Sequence, residues 1–483
     1  MREHDLPPYA PSLIESMRSI GYSFDFAIAD VIDNSIAASA RNVSIQFRPF
    51  ENPYIAIIDD GNGMSPEELI IAMRHGHKNP LESREINDLG RYGLGLKTAS
   101  LSQCRKLTVI TLKDEKLSAC CWDIDYIIKK EKWSLQILDK KEILSCPHVS
   151  DLEKSGKGTI ILWQKLDKLT IGESSMELAL GQKLDHARDH LALIFHRYIN
   201  NEPHLIPLKI SINNLVLKGI DPFLRNHKAT QILDEDSFNV ENQRITVKPY
   251  ILPHFSKLNT NDAALAGGKD GLRSQQGFYV YRNSRLIIWG TWFKIAGKDE
   301  LSKLARVRVD IPNSLDHLWT LDIKKSAAHP PEIVRKNLRR IIERIRDASG
   351  RTLIFRGRQA SSGPIALNWT EVTDREGFRY EINKEHPFIL SLKTQIASSH
   401  HSLINALLKI LENTLPVDSI YSRMASDQKH FNTIDETNLR DLLNSIMLNL
   451  NSEDKKNILE RVKLIEPFNK QPDVVAKIIK EIS

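Results

Sequence analysis

Cysteine is scarce in this chain: four residues in 483, Cys104, Cys120, Cys121 and Cys146. None has the paired spacing of a zinc site, and so few thiols in a long chain read as reduced, buried side chains rather than a disulfide framework. Long apolar runs are missing too. No stretch of about eighteen apolar residues exists to cross a membrane. The opening residues, MREHDLPP, hold no apolar signal region. The expectation is a cytoplasmic protein with no membrane partner. Internal repeats and low-complexity tracts are absent, and no cluster has the spacing of metal ligands, which argues against an intrinsic metal-dependent nuclease. A strong excess of one charge is lacking as well: a net +6 permits a nucleic-acid partner without demanding one. What the chain does have is 41% apolar residues, enough at this length for two or three domain cores.

The chain is organised around residues 24–34, FDFAIADVIDN. Apolar Phe26, Ile28, Ala29, Val31, Ile32 and Ile36 recur at helical spacing, with Ser23 placed as N-cap. Asp30 and Asn34 fall at i and i+4, on one helix face. A carboxylate can accept a proton and a carboxamide oxygen can ligate a hard cation, so the pair suits a water held beside a cation-bound phosphate. Alone, such a pair is most often a solvated face. Three further motifs give it context. A strand at 54–58 runs into DDGNGM at 59–64; GRYGLGLKT follows at 90–98; and GKGT at 156–159 leads a strand. The second of these is not a P-loop, because Leu96 separates Gly95 from Lys97.

Around these motifs, strands are expected at 43–47, 54–58, 106–112, 117–123, 134–138 and 158–164, and helices at 12–19, 24–40, 66–75 and 96–103. SPEE at 65–68 is a capping box with Pro at the first helical position. Residues 76–92 lack periodicity and read as a loop. Together these make an α/β sandwich, a helix layer on an antiparallel sheet. A long helix at 177–198 reads as a linker. Strands at 207–217, 245–251 and 305–311 and the hairpin GFYVYRNSRLII at 277–288, turning at Asn283 and Ser284, make a second α/β domain closed by a helix at 332–348. Residues 335–358 hold nine Arg or Lys against two acids, Glu343 and Asp347, either a track for a phosphate backbone or the wet face of one helix. Residues 388–483 are mainly helical, broken at Pro416 and Pro467. The expected domains are 1–170, 171–350 and 351–483.

In this order, an Asp/Asn helix, D-x-G-x-G, a Gly-rich segment and a Gly-Thr strand resemble the four motifs of the GHKL ATPases, which include DNA gyrase B, the ninety-kilodalton heat-shock chaperones, histidine kinases and MutL. The pattern is nearest to MORC-type ATPases and their bacterial MutL-like relatives, over residues 24–165 and again over 275–330. The resemblance implies an α/β protein: an N-terminal GHKL (Bergerat) sandwich, a transducer α/β domain and a mainly helical C-terminal region. It implies ATP and Mg²⁺ as cofactors. Asp59 would accept the adenine amino proton. Gly61 and Gly63 would bring the backbone to the base at positive φ, Met64 would pack on the ring, and the Thr159 hydroxyl would support the aspartate. Gly90, Gly93 and Gly95, followed by Lys97 and Thr98, would wrap the phosphates. Asn34 would ligate Mg²⁺, and Asp30 would orient or deprotonate the attacking water. Lys324 or Lys325, in WTLDIKKS at 319–326, would reach the γ-phosphate.

The chain departs from the family at Asp30, where MutL and MORC proteins carry glutamate. The carboxylate is one methylene shorter, so slow hydrolysis is expected. The resemblance further implies ATP-dependent homodimerisation through the N-terminal domain, a clamp acting on DNA, and a nuclease or helicase beside it in a bacterial restriction or anti-phage module. Two rival readings are a heat-shock-type protein-remodelling ATPase, without DNA affinity, and a non-hydrolysing nucleotide sensor. A histidine kinase is disfavoured: it needs a phospho-accepting His on a helix ahead of residue 24, where His4 in a Pro-flanked segment is the sole histidine.

Overall fold

Short strands buried on both sides set the architecture, because both faces of the main sheet are covered. The computed structural model describes residues 4, 8–19, 21–76, 95–169, 175–254, 257–268, 271–299, 302–321, 328–354, 366–373, 378–417, 419–420, 436–448, 459 and 461–482. The chain divides into two compact units, Met1–Phe355 and Arg356–Ser483. The first begins with α1 (Ala10–Arg18), α2 (Phe24–Ala37), β1 (Asn42–Arg48), β2 (Tyr54–Asp59), α3 (Pro66–Met73), α4 (Gly95–Leu101), β3 (Lys106–Lys113), β4 (Lys116–Asp123), α5 (Ile124–Lys130), β5 (Gln136–Ile137), α6 (Lys140–Leu144), α7 (Val149–Ser155), β6 (Gly158–Gln164), α8 (Met176–Ile194), α9 (His196–Ile199), β7 (Lys209–Ile212) and β8 (Leu215–Val216). These eight strands form one sheet in the order β5-β4-β3-β6-β2-β1-β7-β8. All its pairings are antiparallel except β1 with β7.

Along β2, Ile55 and Ile57 enter the core shared with α2, while Ala56 and Ile58 turn to a second core on the opposite face. That opposite face is packed by Ile143 of α6 and by Val149 and Leu152 of α7. Because both faces are covered, β6 reads GTIILWQ, an almost unbroken apolar run rather than an alternation. The capping box at the start of α3 forms: Glu68 N donates to Ser65 Oγ at 3.2 Å, and Ser65 N to Glu68 Oε2 at 2.7 Å. Two expectations need correction. The strand at 207–217 was placed in a second domain, but β7 pairs in parallel with β1 and extends the first sheet. The 177–198 helix is no linker: Leu180, Ala187 and Leu191 of α8 are buried in the first core, against α2. Helices α6 and α7 were not foreseen, since their short apolar spacing carries little periodic signal.

The second sheet is built from β9 (Gln231–Ile232), β10 (Asp236–Val240), β11 (Gln243–Ile251), β12 (Gly277–Arg282), β13 (Arg285–Thr291) and β14 (Ala305–Ile311), in the order β10-β11-β14-β12-β13, with β9 on β11. Asn283 and Ser284 both take positive φ, 46° and 66°, which matches the twist of a two-residue hairpin turn. Helix α12 (Glu332–Ile354) buries Val334, Leu338, Ile341, Ile342 and Ile345 against this sheet and exposes Lys336, Arg339, Arg340 and Arg344. The second unit has a hairpin, Trp369–Thr373 with Phe378–Ile382, and helices that include Pro387–Gln395, His401–Asn413, Glu436–Leu448 and Pro472–Ile482 around a small core of Leu439, Leu443, Phe468, Val475 and Ile478.

Within the first unit the two sheets share packing. Tyr250, Tyr279, Tyr281 and Leu286 belong to the first core. A largely buried charge cluster joins them: Arg197 of α9 pairs with Glu202 at 2.8 Å and with Asp310 of β14, and Glu202 also meets Arg225 at 3.2 Å and Arg308 at 3.5 Å. Burial works against the Glu202 charge, but the three arginines outweigh it and hold the carboxyl below its usual range. Removing this shared carboxylate leaves desolvated guanidinium groups under-compensated. Glu202→Ala is therefore expected to lower the unfolding free energy of the first unit by about 3 kcal/mol in a urea titration; a change within experimental error would show that the cluster adds no stability.

Candidate functional site

The end of β2 is where the α2 layer meets the sheet. Asp59 closes the strand and is 6% exposed. Ser35, one residue past Asn34 on α2, donates its hydroxyl to Asp59 Oδ2 at 2.9 Å, and Gly61 N donates to Oδ1 at 2.9 Å. Thr159 lies directly opposite in β6, and its backbone also hydrogen-bonds the carboxylate. Burial dominates all the same and pushes the Asp59 carboxyl up to about 6, against the bonds from Gly61, Ser35 and Thr159 that favour the charged form. Its neighbour Asp60 behaves oppositely. Burial opposes its charge, but bonds from the Asn42 side chain and the Asn42 and Arg41 backbone outweigh this and lower its pKa.

The loop after Asp59 is shaped by close approaches. Gly63 adopts φ +66°, and a Cβ there would lie 2.2 Å from the Leu112 carbonyl oxygen. Gly61 does not take the positive φ expected of it; its need for glycine is steric, since a Cβ would sit 2.9 Å from the Ala38 Cβ and from Asp59 Oδ1. Met64 is half-buried against the main core, and its amide donates to Thr111 Oγ1 at 2.8 Å. The Thr111 hydroxyl in turn donates to Gly158 O at 3.1 Å, which ties the DGNG loop to the GKGT strand.

On α2 the Asp30 and Asn34 pair is asymmetric. Asp30 is 6% exposed, whereas Asn34 is exposed. The Asn34 amide nitrogen donates to the Asp30 carbonyl at 3.1 Å, so the carboxamide oxygen is the atom that can meet a cation. Tyr22 donates its hydroxyl to Asp30 Oδ2 at 3.2 Å. Gly95, first residue of α4, faces Asp30: a Cβ on it would lie 3.9 Å from Asp30 Oδ2, an ordinary contact distance. Lys97 is buried and donates to the Ala72 carbonyl at 2.7 Å, at the end of α3; burial lowers its pKa to about 8. The buried Thr98 hydroxyl has no hydrogen-bond partner among the described residues. Just past α3, His75 packs between Trp122 and Trp133, and burial, then Lys97, lower its pKa to about 4. Gly90 and Gly93, within 77–94, and Lys324 and Lys325, within 322–327, lie outside the described residues.

Several polar residues at the site were not singled out from sequence: Ser35, Thr111, Tyr22, Asp33 and Arg285. Arg285, on β13 of the second sheet, forms ion pairs with Asp33 at 2.7 Å and with Asp30 at 3.5 Å. Asp33 could have been flagged as a third polar position within the 24–34 helix. Nothing local in the sequence marks Arg285, because the pairing is made by tertiary packing.

The arrangement provides a buried carboxylate acceptor at the floor, a glycine-lined wall, and a second carboxylate beside a carboxamide oxygen. Among the described residues no group of three or more His, Cys, Asp or Glu could cage a metal. A lone amide oxygen suits a cation such as Mg²⁺, which keeps waters and phosphate oxygens as its remaining ligands.

Comparison with known proteins agrees with this geometry. Residues 22–159 match the sequence model of the family described as histidine kinase-, DNA gyrase B-, and HSP90-like ATPase. The chain is similar to the ATPase morc-1 of Caenorhabditis elegans, 36% identical over 94 residues, which is 19% of this chain and 11% of that protein. It is similar to the DNA mismatch repair protein MutL of Thermodesulfovibrio yellowstonii, 31% identical over 91 residues, 18% of this chain and 17% of the other. It is also similar to the ATPase MORC2B of Mus musculus, 30% identical over 96 residues, 19% of this chain and 9% of the other. The matched segment thus spans no more than 17% of the length of these curated relatives.

The raised Asp59 pKa has a measurable consequence. In the unfolded chain the carboxyl titrates near about 4, and in the native protein at about 6. Between these values the unfolded state gives up its proton first, so the wild type loses stability as pH rises through the window, and the loss is constant above it. Asparagine does not titrate. Urea unfolding should show Asp59→Asn gaining roughly 2–3 kcal/mol on the wild type between about pH 4 and pH 7; a pH-independent difference would contradict the buried-carboxyl description.

Proposed function

We propose, from the premise that residues 22–159 form a GHKL-type ATPase domain, that this chain binds ATP with Mg²⁺, hydrolyses it slowly, and uses it to close a homodimeric clamp on DNA. The observation that carries the reading is the seating of Asp59, bonded by Ser35 of the same helix that presents Asp30 and Asn34. Asp59 would accept the adenine amino proton, and an analogue without that donor would leave a buried acceptor unpaired, at about 1–3 kcal/mol. Gly61, Gly63 and Met64 would line the base. Gly90, Gly93 and Gly95, with Lys97, Thr98 and Thr159, complete the proposed nucleotide contacts.

Bound Mg²⁺ would neutralise phosphate charge. Asn34 would hold it through the carboxamide oxygen. Asp30 would take a proton from water as the water oxygen attacks the γ-phosphorus and the bond to the ADP oxygen breaks. The short aspartate, already engaged by Tyr22 and Arg285, supports slow turnover. It also keeps a nucleotide-sensor reading in view.

The clamp is proposed on the differential contacts of ATP. In this reading the γ-phosphate would engage backbone amides at Gly90 and Gly93 and the amine of Lys324 or Lys325 together, a contact that ADP lacks. Moving a mostly open population to mostly closed takes about 5 kcal/mol of such preference. A DNA role is supported by the exposed basic face of α12, with Lys336, Arg339 and Arg340. It is supported too by the mismatch-repair name of the MutL relative.

Asp30→Ala should bind ATP and fail to turn it over, and Asn34→Ala should lose Mg²⁺-dependent binding. Asp30→Glu separates the readings: faster hydrolysis marks a slow enzyme, none a sensor. With a non-hydrolysable analogue the wild type should elute as a dimer and retain DNA at higher salt than with ADP. A monomer whose DNA retention ignores the nucleotide would overturn the clamp.

A further inference from the structure

Arg285 is 3% exposed and stands on β13, in a different sheet from the acids it meets. Its guanidinium lies between two buried carboxylates of α2: Nε is 2.7 Å from Asp33 Oδ1, and Nη2 is 3.5 Å from Asp30 Oδ1. The same guanidinium sits over the Phe195 ring, 5.7 Å from its centroid. Burying a cation among apolar rings is unfavourable unless anions compensate it, and Asp33 and Asp30 are those anions. Neither Nε nor Nη2 makes an aligned hydrogen bond among the described residues, so the contact acts through charge and shape.

The hairpin that carries Arg285 is fixed on its other flank. Arg282, 4% exposed, forks onto Asp316, with Nε 2.7 Å from Oδ1 and Nη2 2.6 Å from Oδ2. Tyr198 donates to the carbonyl of turn residue Asn283 at 2.6 Å. The guanidinium is thus delivered to α2 by a turn that is itself held. Asp33 lies closer and anchors it. Asp30 receives the remaining edge, while Tyr22 engages its other oxygen.

We propose that Arg285 is a positioning residue for Asp30. It fixes the direction in which that carboxylate faces the attacking water, and it makes hydrolysis depend on the seating of the β12–β13 hairpin. The proposal rests on the reading of Asp30 as the base. A planar fork can face two carboxylates at once, which a lysine ammonium cannot reproduce. A misplacement of about 1 Å at a reacting group can cost on the order of 10²-fold in rate.

The test is single-turnover ATP hydrolysis and calorimetric ATP binding on the full chain, for Arg285→Met, Arg285→Lys, Asp33→Asn, Arg282→Met and Asp30→Ala. Arg285→Met should slow hydrolysis about 10- to 100-fold, with ATP affinity within about threefold of wild type. Arg285→Lys should recover part of the rate. Asp33→Asn should act in the same direction, and combining it with Arg285→Met should add little, as expected for one network. Arg282→Met loosens the same hairpin without removing the Arg285 contact to α2, so it should lower thermal stability and slow turnover, but less than Arg285→Met does. If Asp30→Ala hydrolyses at the wild-type rate, the base assignment itself fails. If Asp30→Ala is dead but Arg285→Met turns over normally, or loses binding and rate together, Arg285 is only structural and the proposal is overturned.

Discussion

A carboxylate at the end of a buried strand is the contact on which this site depends. Asp59 is carried to the end of an interior strand by an apolar run and would be expelled or neutralised there without partners. Ser35, the Gly61 amide and the Thr159 backbone supply them, and each comes from a different part of the chain. The Ser35 bond has a second effect. It ties α2, the helix of Asp30 and Asn34, to the end of β2. The proposed recognition of a base and the proposed chemistry at a phosphate would then share one helix–strand contact. The glycine loop follows from the same constraint, because Gly61 must pass Ala38 and Gly63 must pass Leu112 at distances that exclude a side chain.

The second sheet does more than follow the first. Through Arg285 it contributes charge to α2, and through Tyr279, Tyr281 and Leu286 it contributes to the first core. The Arg197–Glu202–Arg308–Asp310 cluster binds α9 to β14 beside this contact. Such pairs, desolvated and mutually compensating, tolerate little relative motion, since separating them leaves charges uncovered. A nucleotide-driven rearrangement in this unit would have to conserve them or exchange them for phosphate contacts.

Much of this was legible in the sequence, for physical reasons. The Asp30 helix, the strand into Asp59, the SPEE cap and the Asn283–Ser284 hairpin all carry local signals: apolar period, side-chain capping and turn chemistry. The failures share a cause. Residues 207–217 read as a strand of the second domain, but periodicity does not say which sheet a strand joins, and β7 and β8 extend the first. The α8 helix read as a linker because its apolar positions are spaced by polar ones, yet these few residues suffice to cover α2. At Gly61 the expected positive φ was replaced by a close approach that only the packed structure reveals. Arg285 stays invisible in the sequence because its meeting with Asp33 is a product of sheet-to-helix docking.

The central claim is that Asp59 reads the base of ATP. Its most direct test is calorimetric titration of ATP into wild type and Asp59→Asn at neutral pH, with circular dichroism to confirm that both are folded. Saturable binding to the wild type and none to the folded variant is the predicted result. Equal affinities for the two proteins would contradict it.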